Sequence, residues 1–216
     1  MVDLVFSGDG VELERHAMTP TLLLKVRVSN MTPSIKVQNV LLQCQVRIEA
    51  TRRHYAPEEL DRLVELFGEA HRWGETLRSM LWIHTSAQVP AFDSEHCVNL
   101  PVPCSFDFNV AATKYFYGLE SGDVPLTLLF SGTVFYRDAE DGLQMDQISW
   151  SKQAEYRLPV RIWRELMDHY YPNSTWLRID HEVFEQIYQY KRQNGFTSWD
   201  ETMRSLLRLQ RKEGWS

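Results

Sequence analysis

Three cysteines and seven histidines are the side chains of this 216-residue chain best suited to chemistry. Glu95, His96 and Cys97 stand together with Cys104 close behind, and thiolate plus imidazole are the ligands zinc prefers. Their spacing works against a shared site. On one extended strand, the offset between Cys97 and Cys104 puts the two thiols on opposite faces about 23 Å apart, beyond a disulfide or a common metal. No CxxC or HExxH supplements them. His84-Thr85-Ser86 brings an imidazole near a hydroxyl, but Ser86 lacks the Gly-x-Ser-x-Gly elbow that exposes a nucleophile, and the run reads as alternating strand residues. Glu58 and Glu59 are adjacent at a helix start, where they diverge and compensate the helix dipole instead of flanking a scissile bond. Gly8-x-Gly10 and Ser131-Gly132 do not open a helix behind a strand, so they are turn and strand glycines and not phosphate loops. No catalytic residue, metal ligand or cofactor is assigned, and the expectation is a non-enzymatic protein.

The elements that would position these residues are mostly strands. Val40, Leu42, Cys44, Val46 and Ile48 alternate with Gln43, Gln45, Arg47 and Glu49, the period-two pattern of a strand with one buried face. Similar alternation marks residues 21–29, 82–89, 98–110, 125–137, 143–150 and 154–160, with Asp138 to Gly142 as a hairpin loop. Pro101 and Pro103 place the 98–110 segment at an edge or a bulge. At the amino terminus, Asp3 to Phe6 reads as a short strand, Ser7-Gly8-Asp9-Gly10 as a turn and Val11 to His16 as the returning strand. Cys44 and Cys104 fall in the apolar phase and are expected buried and unpaired.

Helical periodicity interrupts the strands twice. Pro57, Glu58 and Glu59 open a helix carrying Leu60, Leu63, Val64 and Phe67 and closed by Gly68; a second short helix is expected over 73–81. Beyond Pro159 three amphipathic segments follow: one with Ile162, Trp163, Leu166 and Met167, one with Val183, Phe184, Ile187 and Tyr188 behind an Asp180 cap, and one with Trp199, Met203, Leu206 and Leu207 behind a Ser198/Glu201 capping box. The predicted fold is α+β: a mainly antiparallel two-sheet β-sandwich of about eight strands with a helical insertion and a C-terminal helical hairpin. Residues 1–160 form the sandwich, with the insertion at about 56–81, and residues 161–216 a helical extension packed on it.

A 44% hydrophobic, 24% charged chain of this length has the composition of a globular protein with a well-buried core. No apolar run of about 18 residues occurs, so no membrane span is expected, and a cytoplasmic location follows from the lack of a signal-like amino terminus. The net charge is −6, while the stretch from Ser151 onward carries eleven Lys/Arg against nine Asp/Glu. Neither part supplies the strongly basic face that nucleic acid requires. Arg192, Arg204, Arg208, Arg211 and Lys212, with Trp215, form the candidate interface: a weakly basic, aromatic tail suited to an acidic protein partner. The alternative is a binder of a small apolar ligand.

Several stretches carry a family resemblance: residues 41–49 (LLQCQVRIE), 63–68 (LVELFG), 81–86 (LWIHTS), 100–104 (LPVPC), 128–135 (LLFSGTVF) and 171–177 (YPNSTWL). Across nearly its whole length the chain resembles a family of actinobacterial proteins known as a domain of unknown function. Its genes lie beside those of actinobacterial-type, oxygen-tolerant nickel–iron hydrogenases and their maturation proteins. The resemblance implies an accessory or assembly role, with a hydrogenase subunit or maturation factor as partner; it supplies no catalytic residues.

Overall fold

The computed structural model describes residues 2–105, 109–138, 142–175 and 177–212, the side chains of 211 and 212 excepted. In chain order the elements are β1 (Leu4–Leu13), β2 (Thr21–Asn30), β3 (Lys36–Ile48), α1 (Pro57–Phe67), α2 (Trp73–Thr76), β4 (Met80–Val89), β5 (Glu95–Pro103), α3 (Val110–Gly118), β6 (Asp123–Arg137), β7 (Leu143–Gln147), β8 (Gln153–Pro159), α4 (Val160–Tyr170), α5 (His181–Gln193) and α6 (Trp199–Lys212). All the strands pair antiparallel, in a three-stranded sheet ordered β1-β2-β5 and a five-stranded sheet ordered β4-β3-β6-β7, with β8 also paired to β6. The predicted two-sheet α+β architecture is the observed one.

The amino terminus departs from its expected hairpin. Residues 4–13 are one strand, and the glycines form an irregularity in the pairing with β2 between Gly8 and Gly10. The reason is steric: a Cβ on Gly8 would lie 2.7 Å from the Tyr156 ring on β8. Gly8 therefore serves close approach between strands of the two sheets rather than chain reversal. The expected 98–110 strand ends at Pro103 on the edge strand β5, residues 106–108 lie outside the described residues, and Val110 opens α3. Much of the expected 73–81 helix is extended chain, because α2 stops at Thr76 and β4 starts at Met80.

The inward faces match the alternation. Val40, Leu42, Cys44, Val46 and Ile48 of β3 and Leu126, Leu128, Phe130 and Val134 of β6 are buried opposite Leu22, Leu24, Val26 and Val28 of β2 and Leu100 and Val102 of β5. Phe6 stacks on Phe130 across the sandwich with ring centroids 4.3 Å apart. At about 25 cal/mol per Å², each such side chain contributes roughly 1.5–3 kcal/mol. Gly132 is forced by the β3–β6 ladder: a Cβ there would lie 2.0 Å from the Leu41 carbonyl oxygen.

Helices α1, α3 and α4 close one end of the sandwich, where Phe116 stacks on Trp163 at 5.2 Å and meets Trp82 at 4.9 Å. Arg53 and Glu59, nearly inaccessible at 7% and 3% side-chain exposure, fasten this end. The Arg53 guanidinium donates to Glu59 (2.7 Å), Ser121 O (2.6 Å) and Asp123 O (2.7 Å), while Glu59 accepts from the backbone N–H of Ala56 and Glu120. Burial by itself would raise the Glu59 pKa, but those two backbone donors and Arg53 outweigh it and hold the carboxyl below the usual range. Glu59 is thus more than the dipole-compensating residue that the sequence suggests.

The chain divides into two compact units, Met1–Ser174 and Thr175–Ser216. The division falls after α4, so the helix bearing Trp163 belongs to the first unit, beyond the boundary expected near residue 160. The second unit is the α5–α6 hairpin.

Candidate functional site

The hairpin forms from local signals. Asp180 accepts the Glu182 backbone N–H (2.9 Å) to cap α5, which ends before Gly195 at φ 67°. Ser198 Oγ accepts from Glu201 N (3.1 Å) while the Glu201 carboxylate accepts from the Ser198 and Thr197 backbone N–H and the Thr197 hydroxyl, the reciprocal capping box expected of this sequence. The Thr197 donors, with Ser198, hold the Glu201 pKa below its ordinary value. Lys191 Nζ donates to Phe196 O and Thr197 O, and Tyr190 OH meets Ser205 Oγ at 2.8 Å, so the turn and the helix pair are tied at several points.

These ties hold an aromatic cluster. The Trp199 ring lies 5.2 Å from Phe184 and 6.1 Å from Tyr188, which stack on each other at 6.2 Å. Phe184, Tyr188 and Trp199 nevertheless remain 39%, 41% and 39% exposed, and Val183 and Leu207 are more exposed still. Two helices of this length cannot cover both apolar stripes with each other, which is a matter of surface-to-volume scaling. Beside the cluster, Leu177, Ile179, His181, Ile187 and Met203 join Phe184 and Trp199 in lining a groove of about 680 Å³.

Two cations sit over this cluster. Lys191 Nζ lies 5.9 Å from the Trp199 ring centroid and the Arg192 guanidinium 6.0 Å from that of Tyr188, within cation–π range. Arg192 on α5 and Arg204 and Arg208 on α6 are exposed, the last two one turn apart on the same helix face. Arg211 and Lys212 continue α6 but their side chains lie outside the described residues, as does Trp215 entirely. The exposure of Phe184, Tyr188 and Trp199 escapes sequence reading, because periodicity marks an apolar face without telling whether anything covers it.

Among the described residues, no group of three or more His, Cys, Asp or Glu is placed to hold a metal ion. Cys44 and Cys104 are buried, and their pKa values are pushed up to about 12 by burial; Cys97 is exposed, and all three thiols are free. Among the same residues no helix is long and apolar enough to cross a membrane.

The chain belongs to the family described as "Family of unknown function (DUF6084)", which it matches over residues 1–214. No match is found among curated proteins. Among solved structures it is similar to the solution structure of a protein described as late embryogenesis abundant, at 14% identity with a TM-score of 0.32, covering 73% of this chain and 72% of that one. It is also similar to the crystal structure of a protein described as ApaA from Bordetella pertussis, at 11% identity with a TM-score of 0.24, covering 73% of this chain and 93% of that one. Both are too distant to carry a functional argument.

Proposed function

We propose that this member of the DUF6084 family is a non-enzymatic accessory protein that engages a protein partner through the α5–α6 face, and that the partner is a nickel–iron hydrogenase subunit or maturation factor. The observation carrying the docking role is the cluster of Phe184, Tyr188 and Trp199, held in place by the hairpin's own hydrogen bonds yet left about 40% exposed. Aromatic anchors with Lys191 and Arg192 set over their rings have the composition of an interface centre. The positive charges of Arg192, Arg204 and Arg208, continued in the sequence by Arg211 and Lys212, favour an acidic surface on the partner. The hydrogenase identity rests on the family resemblance alone.

The test is affinity purification from a hydrogenase-producing native host, read for hydrogenase and maturation components. They should accompany the parent protein and be lost from an Arg192→Glu/Arg204→Glu/Arg208→Glu variant that melts at the same temperature. Repeated recovery of the parent without them would remove this partner. A second reading, a small apolar ligand, is favoured by the groove of about 680 Å³ along Leu177, Ile179 and Met203. Quenching of tryptophan fluorescence by a fatty acid, abolished by Trp199→Ala with no protein partner found, would favour it.

A further inference from the structure

We infer that the outer face of the larger sheet is a second binding site, for a neutral oligosaccharide seated between Trp150 and the amide and hydroxyl side chains of β3, β4 and β6. Antiparallel register builds the platform. Gln45 lies opposite His84 on one side and Leu129 on the other, and Gln43 opposite Ser86 and Ser131, so these side chains share one face. They line a groove of about 590 Å³ with Trp150 at its margin, and its lining contains no Asp, Glu, Lys or Arg. Among the described residues, the side chains of Gln43, Gln45, His84, Ser86 and Ser131 form no hydrogen bond within the protein. Their donors and acceptors therefore stay available beside one another.

Trp150 is 90% exposed, but its turn is fastened. Ile148 N donates to Gly132 O (2.9 Å), Phe130 N donates to Lys152 O (2.9 Å) and Lys152 N donates to Ser149 O (3.0 Å). The turn is thus tied to β6 on both sides of Ser131, which fixes the backbone bearing the indole next to the polar row. A single exposed tryptophan is ordinary. Beside five side chains with unspent hydrogen-bonding capacity and no charge, it matches the two faces of a pyranose: an apolar C–H face for the indole, and a rim of hydroxyls that both donate and accept, as an amide does. Strand spacing of about 4.8 Å is close to the length of one sugar ring, so neighbouring strands can address successive units. A charged ligand would find no counter-charge. An extended peptide lying over the polar row would find β3 and β6 each paired on both sides, the free edge of this side of the sheet being that of β4.

The full chain should be titrated calorimetrically with the hexaoses of β-1,4-glucose, α-1,4-glucose, β-1,4-xylose and N-acetylglucosamine. At least one should bind; Trp150→Ala and, separately, Gln43→Ala/Gln45→Ala should each weaken it about tenfold or more without lowering the melting temperature, as befits exposed residues. Absence of binding by all four at millimolar concentration would overturn the inference. So would binding that survives Trp150→Ala. Because Trp150 lies outside the hairpin, loss of sugar binding leaves the docking face intact, and failure of one proposal is distinguishable from failure of the other.

Discussion

Trp163 on α4 and Trp199 on α6 begin from the same kind of sequence, an indole followed by apolar residues at helical spacing, and end differently. Trp163 is 2% exposed, stacked on Phe116 and crossed edge-on by Tyr117. Trp199 is 39% exposed and meets only the facing aromatics of α5 among the described ring contacts. The difference lies in what surrounds each helix: two sheets and three further helices complete the first unit, whereas the second unit is two helices alone. One pattern therefore builds a core, and its twin leaves an apolar face at the surface. Every buried apolar residue described belongs to the first unit; Thr202 is the buried residue of the second.

The largest effects should appear where this contrast is sharpest. Trp163→Ala should cost about 3–5 kcal/mol in urea unfolding, as large-to-small core substitutions do, while Trp199→Ala should cost less than about 1 kcal/mol. Equal losses would erase the contrast between the two helices. Arg53→Ala should also cost about 3–5 kcal/mol, because it leaves the Glu59 carboxylate buried without its cation. A loss under 1 kcal/mol would show that Arg53 and Glu59 do not fasten the helical end.

A smaller effect follows from the lowered Glu59 pKa. Its carboxylate is favoured in the folded state, so its contribution is complete above the ordinary glutamate range and disappears as pH falls through the folded value. Stability measured from pH 6 downward should fall through the carboxylate range, and Glu59→Gln should start lower and lose less over the same interval. An unchanged acid limb in that variant would contradict the role given to Glu59. The smallest perturbation is chemical: a thiol reagent should label exposed Cys97 in the native protein, slowed by partial burial and by Asp9, which raise its pKa, and reach Cys44 and Cys104 only on unfolding. Rapid native labelling of either buried thiol would contradict the packing of the sandwich.

Strands were legible because period-two alternation reports a buried face directly, as Val40 to Ile48 shows. Gly8 and Gly10 misled because a turn glycine and a bulge glycine have the same local signature; what separates them is Tyr156, far along the chain. Glu59 was misread for the same reason, since Glu120 N–H reaches it from 61 positions away. The row of Gln43, Ser86 and Ser131 exists only once the register of three strands is known. Local capping at Asp180 and Ser198, by contrast, was readable in full, and so were the apolar stripes of α5 and α6; their exposure was not.

The central proposal is that the α5–α6 face is where a protein partner docks. Amide hydrogen exchange of the full chain, with and without a purified hydrogenase subunit recovered by the affinity experiment, tests it most directly. The account predicts slowed exchange concentrated in residues 177–212 with the sandwich strands unchanged. Protection confined to residues 2–174 would contradict it.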